Sequence, residues 1–105
     1  MKIVAVAACP TGIAHTYMAQ AAIEKECKKR GIYVKVETQG SMGIENELEQ
    51  EEINDADVVI FAVAISIENE ERFDDKKNEG KIIYVEPGEL LKRPEKYISE
   101  AISLI

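Results

Sequence analysis

Two unbroken apolar runs most strongly constrain how this chain can fold. One covers residues 3–8 (IVAVAA), and the other extends from Val58 to Ile65 (VVIFAVAI). A strand with one solvated face alternates apolar and polar residues, whereas these runs contain no polar position. They therefore predict strands in a parallel sheet that is covered on both faces.

Further strand-like and helical stretches complete an alternating order. IYVKVET at residues 32–38 alternates as an edge strand would, and KIIYV at residues 81–85 is typical of a fourth strand. Helical or charged stretches follow each strand, which gives the order β-α-β-α-β-α-β-α. This order predicts an α/β fold with a four-stranded parallel sheet in the order 2-1-3-4 and helices on both faces, which is a doubly wound, Rossmann-like architecture.

The clearest helix is predicted from Ile13 to Arg30, with Gly31 as its stop. Its apolar residues recur at helical spacing on two neighbouring stripes, Met18 with Ala22, and Ala19 with Ile23 and Cys27. The sequence also predicts a polar helix or helical turn in ENELEQEEINDA (45–56), a loop in QGSMG (39–43), a partly helical connection in ENEERFDDKKNEG (68–80) and a last helix from Pro94.

Length and hydropathy predict one domain over residues 1–105, without direct membrane insertion. The longest apolar run has only the eight residues of Val58 to Ile65, which is too short to span a bilayer. The N-terminal MKIVAVAACP has neither a long apolar core nor a small-residue cleavage site, so it is interpreted as a strand rather than a signal peptide. The expected location is therefore cytoplasmic.

Charge and cysteine content exclude several classes of function. The formal net charge is −7, and residues 37–75 contain thirteen acidic side chains and one basic one. Nucleic acid is therefore an unfavourable partner, and a basic protein surface is a better one. With one histidine, two cysteines and no C-x-x-C pair, the sequence predicts no disulfide framework and no zinc or multi-histidine site. Carboxylate-only cation binding stays open, although no EF-hand spacing is present; no metal and no cofactor are expected.

One cysteine, Cys9, lies where chemistry is expected in such a fold. In an open parallel sheet, sites form at the carboxyl ends of the strands where the strand order reverses, here between the first and third strands. Cys9 leaves the first strand at that point, and PTGIAHT leads from it into a helix N-terminus, which favours anions and lowers a thiol pKa.

The loop after Cys9 offers groups that suit an anion. Gly12 permits close backbone approach, and Thr11 and Thr16 offer hydroxyl donors. The loop suits a thiolate that attacks or holds a tetrahedral anion, although a cysteine in this position also occurs as a small buried apolar residue. Cys27 is interpreted as packing.

Three segments resemble a known family. ACPTGIAHTYMA (8–19) resembles the active-site loop of the enzyme IIB component of the fructose family of the bacterial phosphoenolpyruvate-dependent sugar phosphotransferase system. VKVETQGSMGIENEL (34–48) resembles that family's second characteristic segment, and ADVVIFAVAI followed by ERF resembles its third strand and the loop after it. The resemblance extends from Lys2 to about Phe73 and implies a four-stranded parallel sheet.

The resemblance implies a phosphotransferase that acts in sugar transport. Cys9 would take a phosphoryl group from a phosphohistidine of the IIA component and pass it, as phosphocysteine, to a sugar bound by the membrane IIC component, with fructose as the default sugar. The phosphoryl-binding residues would be Thr11, Gly12, Ile13, Ala14, His15 and Thr16, through backbone N–H groups from Gly12 to Thr16 and the two threonine hydroxyls. His15 would either donate a hydrogen bond to the phosphoryl group or only cap or pack at the helix start.

The resemblance leaves several features open. Gln39 and Ser41 either rim the site or are ordinary turn residues. The match weakens after Phe73, so the role of residues 68–80 stays open. The chain is either a free subunit or an excised domain, associated with the inner face of the membrane through IIC.

The alternative is a phosphohydrolase related to low-molecular-weight tyrosine phosphatases. Those enzymes place C-x5-R-[ST] after a first parallel strand, whereas here His15 is the sixth residue after Cys9. Histidine does not replace the bidentate grip of arginine on phosphoryl oxygens, and no Asp-Pro general acid is present. The sequence therefore favours the transferase.

Overall fold

The computed structural model describes residues 1–9, 13–40 and 43–105, with only the backbone of Ile13 and Ala14. Along the chain the elements are β1 (Lys2–Ala8), α1 (Ile13–Lys29), β2 (Tyr33–Gly40), β3 (Gly43–Glu45), α2 (Gln50–Asp55), β4 (Val58–Val63), a 3-10 turn (Glu70–Phe73), α3 (Asp74–Asn78), β5 (Ile82–Val85), α4 (Pro87–Lys92) and α5 (Pro94–Ser103).

The sheet has five strands in the order β3-β2-β1-β4-β5. The four longer strands are parallel, and their order is the predicted 2-1-3-4. The predicted strand count was wrong, because β3 adds a short antiparallel pairing to β2, with Thr38 opposite Glu45 and Gly40 opposite Gly43. A three-residue strand is too short to show the alternation of apolar and polar residues that marks a strand, and so the pattern around QGSMG indicates only a loop.

Helices cover both faces of the sheet, as predicted. Ile3, Ala5 and Ala7 of β1 belong to a core cluster with residues of α1, α4 and α5. Val4, Val6 and Ala8 point the other way, into a second cluster with Leu48, Ile53 of α2, and Phe73. Because successive residues of β1 enter different cores, the strand has no polar position.

Only one of the two predicted apolar stripes of α1 is buried. Ala19, Ile23 and Cys27 are fully buried, whereas Met18 is 53% exposed and Ala22 is half-buried. The buried stripe packs in the core cluster formed with the sheet, α4 and α5, and the second stripe lies at the margin of that core. The helix ends before Gly31, whose φ of 71° lies in the left-handed region that favours glycine.

The polar stretch and the charged connection contain short helices, as predicted, and one helix was missed. α2 occupies six residues of ENELEQEEINDA, and the 3-10 turn and α3 make the connection partly helical. α4 was not predicted, whereas the last helix starts at Pro94 as expected and buries Ile98 and Ala101. Among the described residues, none of the helices combines the length and apolar character needed to cross a bilayer.

Candidate functional site

Cys9 lies at the carboxyl edge of the sheet, in a cleft of about 380 Å³. It follows β1 directly and is half-buried. One wall of the cleft comes from the β2–β3 hairpin and the other from the segment after β4; the lining residues besides Cys9 are Gln39, Gly40, Gly43, Ile44, Ile65, Ser66 and Glu68. The cleft therefore brings Cys9 together with segments that are distant from it in the sequence.

The segment after β4 begins beside Cys9. Val63, the last residue of β4, pairs with Ala8, and the Ala64 N–H donates a hydrogen bond of 3.0 Å to the Ala8 carbonyl. The following Ile65 and Ser66 are exposed at the cleft, whereas Ile67 is buried in the second core cluster. This is the edge between the first and third predicted strands, where the fold predicts a site.

α1 supplies a helix N-terminus close to Cys9 in sequence. The helix begins at Ile13, and Thr11 and Gly12, two of the predicted phosphoryl-binding residues, lie outside the described residues. Ile13 and Ala14 are described as helix backbone alone. His15 is exposed, and Thr16 is buried in the first turn.

Thr16 has an unsatisfied hydroxyl. Its side chain is 3% exposed, and its Oγ1 has no hydrogen-bond partner among the residues that the structure describes; the same holds for Oγ1 of Thr38 in β2. A buried hydroxyl without a partner costs about 1–3 kcal/mol, so such a group is uncommon without a ligand or another compensating interaction. Thr16 is thus one predicted site residue with hydrogen-bonding capacity to offer to an anion.

Behind the cleft lies a buried ion pair, Glu37–Arg72, that the sequence did not reveal. Glu37 is fully buried, and its Oε1 accepts hydrogen bonds of 2.8 Å from both Arg72 Nη1 and the Leu48 N–H. Its Oε2 accepts from Arg72 Nη2 at 3.0 Å and from Gln39 Nε2 at 2.6 Å. Burial raises the pKa of Glu37, but the hydrogen bonds from Arg72, Leu48 and Gln39 outweigh it and hold the pKa below its ordinary value.

Arg72 uses its whole guanidinium in this arrangement. Besides the two bonds to Glu37, Nη1 donates to the Leu48 carbonyl at 2.8 Å, and Nη2 donates to the Glu68 carbonyl at 3.3 Å. Nε donates at 2.8 Å to the carbonyl of Asn69, a residue held at a φ of 58°. All five N–H donors are therefore occupied, and residues 68–72 are fastened to β2 and to the segment before α2.

A second contact joins α1 to the hairpin. The Tyr17 hydroxyl donates a hydrogen bond to the Glu45 carboxylate of β3. That bond, with burial and the negative charge of Glu45, raises the pKa of Tyr17. The contact ties the first turns of α1 to one wall of the cleft.

The other cysteine, Cys27, is buried in the core as predicted. Burial raises the pKa of its thiol to about 11, with Arg30 lowering it and Glu26 raising it by smaller amounts. At neutral pH the group is therefore a protonated, inert thiol.

Replacing Cys27 by alanine should leave phosphoryl transfer unchanged. The substitution removes one small buried group, which should lower the free energy of unfolding by about 1 kcal/mol. Denaturant unfolding and a transfer assay on the same preparation check both expectations. Loss of transfer in a stably folded Cys27→Ala protein would show that Cys27 has a role beyond packing.

Comparison with known proteins gives consistent matches over most of the chain. A family described as "PTS system, Lactose/Cellobiose specific IIB subunit" matches residues 4–100. The chain is 48% identical over 99 residues to the "PTS system fructose-like EIIB component 2" of Escherichia coli (strain K12), covering 94% of this chain and 90% of that protein.

Longer relatives contain a similar unit. The "PTS system fructose-specific EIIABC component" of Bacillus subtilis (strain 168) is 42% identical over 102 residues, which are 97% of this chain and 15% of that protein. A solved domain from the "fructose-specific iiabc component (Pts system)" of Borrelia burgdorferi superposes with a TM-score of 0.86 at 50% identity, over 97% of this chain and 93% of that domain.

Proposed function

The chain belongs to the IIB family of the phosphotransferase system, and from that membership we propose that Cys9 carries the phosphoryl group. IIB components are phosphotransferases of sugar uptake, and this chain shares that activity. The observation that carries the assignment to Cys9 is its position at the carboxyl edge of β1, half-buried in the cleft and just before the start of α1.

The proposed chemistry consists of two phosphoryl transfers. The Cys9 thiolate attacks the phosphorus of a phosphohistidine; an S–P bond forms, the N–P bond breaks and the imidazole leaves. A sugar hydroxyl then attacks the same phosphorus, the S–P bond breaks, and the thiolate is regenerated as the hydroxyl proton passes to a base on the acceptor side. Such transfers depend mainly on positioning and on stabilising the charge of the equatorial oxygens.

We assign that charge stabilisation to the start of α1. Backbone N–H groups from Gly12 to Thr16 would hold the oxygens, with Thr11 and Thr16 adding hydroxyl donors. The buried, unpartnered Oγ1 of Thr16 supports this assignment, because a phosphoryl oxygen would satisfy it. His15 is exposed in the same turn, which leaves its ring accessible to the phosphoryl group or to a partner.

The proposed partners are a IIA donor and a IIC acceptor. IIB components are fused to IIA and IIC or work with them, and two of the matched relatives are named as single EIIABC or iiabc proteins. The names of the relatives favour fructose or a similar sugar as the acceptor. The chain would act at the cytoplasmic face of the membrane, where IIC presents the sugar.

Transfer from a known donor tests this function. The probe is the phosphorylated IIA part of the Bacillus subtilis EIIABC relative, mixed with the full chain. We expect close to one phosphoryl group per chain, discharged to fructose when membranes containing the IIC part of the same relative are added. A chain that accepts no phosphoryl group from this donor, or releases it only as inorganic phosphate, would contradict the proposal.

Donor binding is expected to centre on the exposed start of α1. Tyr17 and Met18 are 37% and 53% exposed there, and Ile65 is 42% exposed at the far wall of the cleft. A transient complex needs a small apolar centre that buries little area. Titration with the unphosphorylated IIA part should shift amide signals of residues 13–18 and 64–68; shifts confined to α5 would exclude this surface.

Replacing His15 by alanine separates a phosphoryl contact from a structural role. If the ring donates one hydrogen bond to the charged group, its loss costs about 1.5–3 kcal/mol, which is roughly ten- to hundredfold in rate. Thr16→Val removes the buried hydroxyl at nearly constant volume, so its transfer rate shows the effect of losing one assigned phosphoryl hydrogen bond and can be compared with the rate of His15→Ala. An unchanged rate for His15→Ala would return His15 to the role of a helix-start residue.

The same preparation tests the phosphohydrolase alternative. Without an arginine fork or a general acid, the unmodified chain should hydrolyse aryl phosphates negligibly. Sustained turnover of an aryl phosphate would contradict the transferase function.

A further inference from the structure

The two walls of the Cys9 cleft are joined by one side chain, Gln39. Its Oε1 accepts a 2.8 Å hydrogen bond from the Glu68 N–H, and its Nε2 donates at 3.1 Å to the Glu68 carbonyl. The amide thus pairs with the backbone of residue 68 as a neighbouring strand would. Gln39 and Glu68 both line the cleft with Cys9.

The orientation of the Gln39 amide is fixed by the buried Glu37–Arg72 pair. Its Nε2 also donates at 2.6 Å to Glu37 Oε2, and a carboxylate accepts only from a donor, so the amide has one orientation. Glu37 is itself held by the two parallel bonds from Arg72, and Arg72 binds the carbonyls of Glu68 and Asn69. The backbone of Glu68 is therefore held by both Gln39 and Arg72.

This arrangement closes a short span of chain over Cys9. The span begins where the Ala64 N–H bonds to the Ala8 carbonyl, next to Cys9, and it ends at the Gln39–Glu68 pairing. Between these anchors, Ile65 and Ser66 form the far wall of the cleft. Ile65 and Ser66 are themselves exposed, so their distance from Cys9 is set by the two anchors together with Ile67, which is buried in the second core cluster.

We propose that Gln39, oriented by Glu37 and Arg72, is a positioning residue for phosphoryl transfer, because it holds residues 64–68 at the distance from Cys9 that the incoming phosphoryl donor and acceptor require. The proposal rests on the function proposed above for Cys9. In-line transfer depends strongly on geometry, and a displacement of about 1 Å can cost about a hundredfold in rate. A residue that acts in this way affects the rate of transfer without touching the phosphoryl group.

The test replaces Gln39 by leucine, which keeps nearly the same volume, loses the amide and leaves the Glu37–Arg72 pair in place. Gln39→Asn is the second variant, because its amide is one methylene too short to reach residue 68 while it keeps the polarity. Gln20→Leu is the matched control, since among the described residues the Gln20 amide bonds to Glu24, one turn further along α1. The probe is the phosphorylated IIA part of the Bacillus subtilis relative.

For Gln39→Leu and Gln39→Asn, we expect the transfer rate at saturating donor to fall about ten- to hundredfold, a larger change than that in the half-saturating donor concentration, which also changes because residues 64–68 lie in the expected donor surface. The amide signals of residues 64–68 should shift in both variants, while those of α5 stay in place. Gln20→Leu should match the parent in every measurement.

Parental rates with either Gln39 variant would overturn the proposal, as would unshifted signals of residues 64–68. If Gln39→Leu does not fold, the same criteria apply to Gln39→Asn. Failure of the function itself gives a different result, because the parent and Gln20→Leu would then also take no phosphoryl group.

Discussion

Replacing Cys9 by serine should abolish phosphoryl transfer to and from this chain. A serine hydroxyl is a far weaker nucleophile than a thiolate at neutral pH. The expected loss of rate is on the order of a thousandfold or more, as for other enzymes that lose their nucleophile. The measurement is single-turnover transfer from the phosphorylated IIA donor.

Cys27→Ser is the matched control for this substitution. It introduces the same hydroxyl at the other cysteine, which is buried in the core of the α1 face, so it should lower stability while leaving transfer intact. Transfer by Cys9→Ser within tenfold of the parent rate would contradict the role of Cys9 as the nucleophile.

Replacing Arg72 by methionine should cause the largest loss of stability. Methionine keeps much of the apolar stem, but it leaves Glu37 as a fully buried carboxylate that has lost two of its four hydrogen bonds. Breaking a buried pair in this way costs about 3 kcal/mol or more of the free energy of unfolding. Denaturant unfolding at neutral pH measures the loss.

Lys35→Met is the control, because Lys35 also bonds to a glutamate, Glu52, but at a more exposed position. The Lys35 and Glu52 side chains are 30% and 32% exposed, against 12% and 0% for Arg72 and Glu37, and so the loss of Lys35 should cost about 1 kcal/mol or less. Equal losses for the two substitutions would show that the buried pair adds no special stability.

The loss of stability in Arg72→Met should depend on pH, because Glu37 titrates differently in the variant. In the parent, the pKa of Glu37 is lower in the folded chain than in the unfolded one, so its contribution is present above the unfolded pKa of about 4.3 and is lost as pH falls through the folded value. In Arg72→Met, burial remains and the strongest opposing partner is gone, so the pKa of Glu37 should rise. The stability deficit of the variant should therefore shrink as pH falls from 7 to 4. A deficit independent of pH would exclude this explanation.

The sheet was predictable because its pattern is local and strong. The uninterrupted run in β1 predicted burial on both faces, and the position of Cys9 followed from the parallel topology. The hairpin strand β3 was not predictable, since three residues pairing with the end of β2 leave no period. The spacing of Met18 fits an apolar stripe, but only the neighbouring stripe is fully buried.

The network behind the cleft was hidden for a different reason. Glu37 falls on the polar side of an alternating strand, opposite Val36, and such a pattern predicts a solvated face. On that face the Glu37 carboxylate contacts the Leu48 N–H and Arg72, and Arg72 is thirty-five positions away, so no local signal marks the pair. Residues 68–72, whose role the sequence left open, thus include the anchor of one cleft wall. Gln39 lines the cleft, while Ser41 lies outside the described residues.

The bond that holds the transferred phosphoryl group tests the central claim most directly. Cys9 and His15, the only histidine, lie in the same stretch between Lys2 and Lys25, so a mass increase on that peptide does not by itself distinguish them. Phosphorus NMR of the phosphorylated chain does, because a phosphothiol ester and a phosphoramidate resonate in different regions. We predict a single phosphothiol ester signal that is absent from Cys9→Ser and retained in His15→Ala. A phosphoramidate signal that survives in Cys9→Ser and disappears in His15→Ala would contradict the account.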